Sequence, residues 1–314
     1  MFELFLWGVV FLFSLTTLII AADFFIKASE NMGVYLGIPP FIVGVTLVAI
    51  GTSLPELITS ILAVTEQVPT LVLGNVVGSN IANLCLVLGI MGIMAKKIEL
   101  NFNVMKVDLP MLIGSTFLLA VCVWDGTFSL FEGVLFLVAL IIYLSYVFTL
   151  NKSEEIQATA TPGSSENFSW KQPITLLLSA IIIYFSAKWN VESIKNLADL
   201  LMIGTEYIAQ TAVALGTSLP ELVVSVVALK NNNAEIAVGN VMGSNIFNIF
   251  AVMGIPRMFG MLTVPESMLV TSVPIMVAVT ILAFFVIQDK MINRWEGWIL
   301  LLFYVLFIGN LFLN

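Results

Sequence analysis

The sequence predicts an all-α integral membrane protein whose ten transmembrane helices form two inverted five-helix repeats. The first observation is composition: of 314 residues, 60% are hydrophobic and 10% are charged, whereas soluble domains carry about 25% charged residues. The second is that apolar segments of the roughly 20 residues needed to cross a bilayer follow one another along the chain. The third is a pair of motifs that occurs twice in one register.

Short polar breaks separate ten candidate spans. The first begins at Glu3, where a signal peptide would carry basic residues, and its apolar run is too long, so we expect a retained membrane helix. Residues 151–173 are rich in Ser, Thr, Pro and Glu, which is typical of a hydrophilic linker. This linker divides the chain into a first repeat, residues 1–150, and a second repeat, residues 174–314. The spans lie near residues 3–26, 38–64, 69–95, 105–124, 128–150, 173–190, 203–229, 234–256, 264–287 and 295–313.

An internal repeat relates the two halves. The motif GTSLPEL within residues 46–60 recurs within residues 211–225, and GNVVGSNIAN at 74–83 recurs as GNVMGSNIFN at 239–248. Both pairs have an offset of 165 residues, and they agree at 11 of 15 and 8 of 10 positions. One ungapped register for two separate motifs indicates an internal duplication.

An odd number of spans in each half predicts opposite orientations for the two copies. Inverted repeats are the plan of many secondary transporters, whose sites lie near the membrane midplane between the repeats. Basic residues favour the cytoplasmic side, so their distribution predicts that both termini lie outside and that the 151–173 linker is cytoplasmic. In this orientation the inner segments hold Lys27, Lys96, Lys97, Lys106, Lys152, Lys171, Lys230, Lys290 and Arg294, and the outer segments hold Lys188, Lys195 and Arg257.

The second and seventh spans combine helix breakers with a central glutamate. Gly51 and Pro55 weaken the second helix, and the same residue types recur in the seventh. We therefore predict that the second and seventh helices are broken. The carbonyl groups that lose their helical partners must then line a cavity, bind an ion or be paired within the protein, because lipid offers no hydrogen bonds. A central carboxylate costs about 2.5–3.5 kcal/mol unless it is partnered. Four-residue spacing places each glutamate on one helical face with hydroxyls: Thr52, Glu56 and Ser60 in the first half, and Thr217, Glu221 and Ser225 in the second.

The third and eighth spans supply complementary polar stripes and GxxxG pairs. The GxxxG pairs permit close helix approach. Carboxylate, amide, hydroxyl and carbonyl oxygens are hard ligands suited to calcium and sodium rather than to soft metals. No Lys or Arg stands inside the second, third or eighth span as a counter-charge, so the pattern favours an ion pathway. The stripes are Asn75, Ser79 and Asn83, and Asn240, Ser244 and Asn248.

Other features have simpler interpretations. A lone GxxxG or a single proline in a membrane helix most often serves packing or a kink. Cys85 and Cys122 lie in apolar segments without paired spacing, so we expect small core residues. Acids near span ends, such as Asp23, Glu30 and Asp108, are expected to be interfacial and solvated, and Lys230 begins a polar turn. No basic tract indicates nucleic-acid binding.

At these motifs the chain resembles the cation/calcium exchanger superfamily, and within it the prokaryotic sodium/calcium exchangers. The resemblance covers both copies of GTSLPEL, both copies of the motif at residues 74–83 and 239–248 (the GN-GSN motif) and the ten-span layout. It implies that Glu56 and Glu221 are the central calcium ligands. It also implies that the first and sixth spans slide over the core during transport, and that the protein functions as a monomer in the plasma membrane of a prokaryote. The other implied ligands are Thr52, Ser53, Ser79, Asn83, Thr217, Ser218, Ser244 and Asn248, with the backbone carbonyls of Ala49 and Ala214.

The resemblance implies a secondary active antiporter that exchanges Ca²⁺ for Na⁺ by alternating access, without a cofactor and without enzymatic activity. Some superfamily members carry Asp at a position matching Asn83 or Asn248, and this chain has Asn at both. Sodium stoichiometry and potassium dependence therefore stay open. A Ca²⁺/H⁺ antiporter of the same fold is the main alternative, and a passive cation channel is a further one. A chain without histidine offers an intramembrane enzyme only carboxylates and hydroxyls.

Overall fold

The computed structural model describes residues 2–95, 97–102, 108–154, 170–200 and 218–313. These residues are predominantly helical, and each helix that contains a π-helical turn is treated as one element. The helices are α1 (Phe2–Leu36), α2 (Pro40–Thr65), α3 (Thr70–Ala95), α4 (Asp108–Cys122), α5 (Leu130–Glu154), α6 (Lys171–Leu200), α7 (Leu219–Lys230), α8 (Ala234–Arg257), α9 (Met268–Ile287) and α10 (Arg294–Leu313).

Seven of these helices are long and apolar enough to cross a membrane. They are α1, α2, α3, α5, α6, α8 and α9, and α4 is a shorter apolar helix. This confirms the prediction of a helical membrane protein. The predicted linker begins within the end of α5 and ends within the start of α6, and residues 155–169 between them lie outside the described part of the chain. The first part of the predicted seventh span, residues 203–217, also lies outside it.

The helices divide into a buried core and an apolar periphery. Helix α8 is almost wholly buried, and α3 and α2 are mostly buried. Helix α8 packs on α2, α7 and α3. By contrast, α1 and α6 lie along each other and expose most of their apolar side chains. Since lipid tails are as apolar as the side chains that they touch, such exposure carries no penalty in a bilayer. The polar residues of the sequence motifs lie in the core helices.

Two short antiparallel sheets follow the sequence repeat. Strand β1 (Lys97–Glu99) pairs with β4 (Met291–Asn293), and β2 (Thr127–Phe128) pairs with β3 (Leu262–Thr263). Lys97 pairs with Asn293, and Leu262 pairs with Phe128. Leu262 is 165 residues after Lys97, and Phe128 is 165 residues before Asn293, so the two registers are equivalent under the sequence repeat. Because β1 precedes α4 and β2 follows it, the sheets lie at opposite ends of that helix.

The predicted break of the second helix at its proline is wrong. Residues Ala49–Thr65 form continuous α-helix with Pro55 inside, and the irregularity is a π-helical turn at Gly44–Val48 just before the GTS motif. A membrane helix can keep its course past a proline when polar side chains and a local π turn re-pair the freed backbone groups. The described part of the seventh span begins at Ser218, which is the non-helical N-cap of α7, so α7 starts at Leu219 with Pro220 in its first turn. A break at Gly216 lies outside the described residues.

Buried acids and cysteines also occur away from the motifs. Asp108, predicted to be solvated, is 1% exposed, and its carboxylate accepts a hydrogen bond from the Tyr143 hydroxyl at 3.0 Å. That prediction was wrong because a tyrosine on α5, distant in sequence, covers the start of α4. Cys85 and Cys122 are free and buried, as expected for core residues.

The GxxxG pair of α8 lets the backbone of α2 approach closely. A Cβ atom added at Gly239 would lie 2.5 Å from the carbonyl oxygen of Phe41, and one at Gly243 would overlap the carbonyl oxygen of Val45. Neither neighbour is a flexible side chain that could move aside. The two glycines therefore set the separation of α2 and α8.

We expect Gly243→Ala to destabilise the folded protein by about 1–3 kcal/mol, because the new methyl group must push two helix backbones apart. Thermal unfolding of purified protein in detergent measures the effect. Gly114→Ala is the matched control, since a Cβ atom there meets nothing within 4 Å. Equal unfolding temperatures for the two variants would contradict the packing role of Gly243.

Candidate cation site

The two repeat-related glutamates are the most deeply buried acids of the motifs. Glu56 of α2 and Glu221 in the first turn of α7 are both 0% exposed. Ser53 Oγ, one turn before Glu56, donates a hydrogen bond to Glu221 Oε1 at 3.3 Å. This bond joins the polar face of α2 to the glutamate of the other half, so residues of both halves meet at one place.

Most of the oxygens of the two carboxylates have no hydrogen-bond partner within the part of the chain that the structure describes. In native proteins the large majority of buried polar atoms are paired, so a cluster of unpaired ones requires an explanation. The ion pairs of the described residues are Lys27 with Asp23 and Lys97 with Glu99, and neither involves the two glutamates. Among the described residues, the unpaired buried atoms of the motifs are both Glu56 oxygens, Glu221 Oε2, Ser218 Oγ, both amide atoms of Asn83 and Asn248, and Oδ1 of Asn80 and Asn245.

A second pair of asparagines, Asn75 and Asn240, holds the glutamate-bearing helices in place. Asn75 Nδ2 donates to the backbone oxygen of Glu56 at 3.1 Å and to Ser60 Oγ at 3.0 Å. Asn240, its counterpart, donates from Nδ2 to Ser225 Oγ at 2.9 Å. These bonds hold α2 on α3 and α7 on α8. The first asparagine of each GN-GSN motif thus fixes the helix that carries a glutamate.

Thr52 connects the two halves on the same face of α2. Its hydroxyl lies 3.1 Å from Asn240 Oδ1, 3.4 Å from Ser244 Oγ and 3.3 Å from the Ala49 carbonyl oxygen. The hydroxyl has one proton to donate, so these contacts cannot all be full hydrogen bonds. Of the predicted ligands, Ser79 is buried on α3, whereas Ala214 and Thr217 lie outside the described residues.

A π-helical turn includes each of the two predicted asparagine ligands. The turns span Ala82–Val87 in α3 and Asn248–Val252 in α8, and Asn83 and Asn248 are repeat equivalents. A π turn widens the helix by one residue and is frequently found at functional sites. No glycine or proline occurs in either turn, so nothing in the local sequence signals them.

Sequence reasoning did not single out Asn80 and Asn245, the last residues of the two GSN motifs. They are 1% and 0% exposed, and they lie on neighbouring helices of the core. The signal was available, because the asparagine is repeated at the same offset as the glutamate. Their position between the serine and the second asparagine of each stripe makes them part of the polar core.

The arrangement can hold cations. Two carboxylates supply the negative charge, and neutral amide and hydroxyl oxygens surround them. Oxygen ligands of this kind suit hard cations such as Ca²⁺ and Na⁺. The described residues contain no group of three or more His, Cys, Asp or Glu side chains, which a metal centre of those ligands would need. The neutral oxygens would therefore have to supply most of the ligands.

Comparison with known proteins agrees with this chemistry. The chain is 35% identical to the sodium/calcium exchanger MaX1 of Methanosarcina acetivorans, with 96% of this chain and 97% of that protein aligned. It is 31% identical to the putative antiporter CaxA of Alkalimonas amylolytica over 94% of this chain and 95% of that protein. A solved structure of the sodium-calcium exchanger NCX_Mj superposes with a TM-score of 0.83 at 32% identity, covering 98% of this chain and 99% of that one.

The family assignment covers both halves of the chain. Residues 6–149 and 171–313 match the profile of one family, and the segment between the two matches, residues 150–170, lies almost wholly within the predicted linker. The two relatives and the superposed structure likewise cover 94–98% of this chain. The chain therefore belongs to the sodium/calcium exchanger protein family.

Proposed function

We propose that this protein is a secondary active antiporter that exchanges Ca²⁺ for Na⁺ at one site built around Glu56 and Glu221. The observation that carries the proposal is the pair of fully buried, repeat-related carboxylates whose oxygens largely lack partners in the described part of the chain. A buried carboxylate without a counter-charge is strongly destabilising. A transported cation would be the counter-charge.

The ligand set follows the same logic. Ca²⁺ takes about six to eight oxygen ligands, and two carboxylates alone cannot supply them. Thr52, Ser53, Ser79 and Asn83 from the first half, with Thr217, Ser218, Ser244 and Asn248 from the second, would add side-chain oxygens. The carbonyls of Ala49 and Ala214 would add two more. The unpaired amides of Asn83 and Asn248 and the unpaired Ser218 hydroxyl support this assignment.

Exchange follows from electrostatics in a low dielectric. Two ionised glutamates balance one Ca²⁺ or two Na⁺, with additional Na⁺ bound by neutral oxygens. The loaded site can be enclosed, whereas enclosing the bare pair of anions costs far more. The empty carrier therefore stays open to one side until another cation binds, which couples the movement of one ion to the counter-movement of the other.

The proposed architecture is two inverted repeats of five transmembrane helices, with both termini outside, a cytoplasmic 151–173 linker and function as a monomer in the cell membrane. The equivalent strand registers support the repeat. They also support the predicted directions in which the helices cross the membrane. The paired strands β1 and β4 must lie on one side of the membrane, and β2 and β3 on the other. The excess of basic residues in the segments that contain β1 and β4 supports the orientation.

Proton coupling is the second candidate, because a buried carboxylate can also be neutralised by a proton. A direct test uses proteoliposomes loaded with Na⁺ and diluted into Na⁺-free medium with labelled Ca²⁺, and the same vesicles with a pH gradient instead. We expect uptake driven by the outward Na⁺ gradient. Uptake driven only by the pH gradient would overturn the sodium assignment, and flux that needs no counter-ion gradient would indicate a channel.

We expect Glu56→Gln and Glu221→Gln each to abolish Na⁺-driven Ca²⁺ uptake, reducing it at least about 100-fold, because one remaining charge cannot balance Ca²⁺ in the enclosed site. Labelled Ca²⁺ uptake into proteoliposomes measures this loss. Glu235→Gln is a control, since the Glu235 carboxylate accepts hydrogen bonds from the backbone N–H groups of Asn101 and Phe102. Near-normal uptake by either site variant would refute its role.

We expect Glu56→Gln to raise the unfolding temperature of the cation-free protein and to remove the stabilisation that Ca²⁺ confers. The reason is that the variant replaces a buried, unpaired carboxylate by a neutral group and removes a ligand at the same time. Thermal unfolding with a Ca²⁺ titration gives both quantities. Asp108→Asn, a buried acid paired with Tyr143, should keep the Ca²⁺-dependent shift. If both variants kept it, Glu56 would not be a ligand.

A further inference from the structure

Asn80 and Asn245 occupy equivalent positions in the two repeats but make different hydrogen bonds. Asn80 Nδ2 on α3 donates to the backbone oxygen of Asn245 on α8 at 3.3 Å. Asn245 Nδ2 instead donates within its own helix, to the Val241 oxygen at 2.6 Å. The reciprocal bond, from Asn245 to the Asn80 oxygen, is not formed. The one cross-helix bond of this pair therefore runs from the first repeat to the second.

The carbonyl that Asn80 reaches is also bound by a predicted cation ligand. The backbone N–H of Asn248 donates to the same Asn245 oxygen, and to that of Ser244, at the start of the π-helical turn of α8. The chain of contacts runs from the Asn80 amide through the Asn245 carbonyl to the backbone of Asn248. Asn80 is thus placed to fix the turn that holds the Asn248 side chain.

A second asymmetry has the same direction. Ser53 donates to Glu221, whereas Ser218, the equivalent of Ser53, has an unpaired hydroxyl, and both oxygens of Glu56 are unpaired. In both places the first repeat donates to the second without a return bond among the described residues. The residues concerned are identical in the two repeats, so the difference lies in conformation and not in sequence.

We propose that Asn80 and Asn245 are positioning residues that alternate. In the state described here, Asn80 donates to α8 and holds Asn248. In the state open to the other side, Asn245 donates to the Asn80 carbonyl and holds Asn83, while the Asn80 amide turns to the Val76 oxygen of its own helix. This inference rests on the proposed function, because inverted repeats exchange conformations when access alternates.

Each asparagine then stabilises one of two states, and the variants should act in opposite directions. Asn80→Leu removes the cross-helix bond of the present state, and Asn245→Leu removes that of the opposite state. A state that is less populated binds Ca²⁺ with a proportionally weaker apparent affinity from the side that it faces. A role in folding alone would change both sides alike.

The test measures the half-saturating Ca²⁺ concentration for exchange on each face, in right-side-out and inside-out vesicles from the same cells. We expect the ratio of the two values to shift by about two- to tenfold in one direction for Asn80→Leu and in the other for Asn245→Leu, which is the effect of one hydrogen bond. The double variant should return close to the wild-type ratio. Thr116→Val is the matched control, because it removes a buried interhelical hydroxyl contact, 3.4 Å to Thr280, between α4 and α9.

The inference would be overturned if the two single variants shifted the ratio in the same direction or did not shift it. It would also be overturned if the double variant shifted the ratio further than either single variant. Absence of exchange in the wild-type protein would instead refute the proposed function. If a leucine variant fails to fold, Asn80→Ser and Asn245→Ser carry the same comparison, since a serine hydroxyl is too short to reach the neighbouring helix.

Discussion

The cost of keeping Glu56 and Glu221 inside a membrane protein is the constraint on which the rest of the structure depends. An ionised carboxylate in a low dielectric needs a partner. No Lys or Arg among the described residues forms an ion pair with Glu56 or Glu221. The surrounding core supplies amides and hydroxyls instead, on helices that are mostly buried. The apolar periphery can then be exposed to lipid, because the polar side chains of the two motifs lie in the core helices.

Duplication provides this centre with matched halves. Asn75 with Ser60, and Asn240 with Ser225, are equivalent contacts that hold each glutamate-bearing helix on its neighbour. The strand registers repeat the same relation at the ends of the helices. A single copy would contribute one carboxylate and half of the oxygens, which is too little charge for a divalent cation. If the site binds Ca²⁺ as proposed, both copies are therefore needed to supply its charge.

The sequence predicted those features that depend on composition and spacing. Apolar length identified a helical membrane protein, and the 165-residue offset drew attention to two glutamates that the structure buries, Glu56 and Glu221. It did not predict the π-helical turns at Asn83 and Asn248, because neither turn contains a glycine or a proline that would signal it. The burial of Asp108 depends on a distant partner, Tyr143. Pro55 predicted a break, yet α2 is continuous through it. The ligand assignment itself remains a prediction.

The identity of the motifs makes the asymmetry of the core informative. GTSLPEL and the GSN triplets are the same in both halves, yet Ser53 and Asn80 bond across to the second repeat while Ser218 and Asn245 do not bond back. Sequence-identical segments in different environments have mirror arrangements that differ by only a few hydrogen bonds, each worth about 0.5–1.5 kcal/mol. A difference of that size is within what the binding of a cation can reverse. Under the proposed function, the same duplication that supplies both carboxylates would therefore also keep two orientations of the core close in free energy, which alternating access requires.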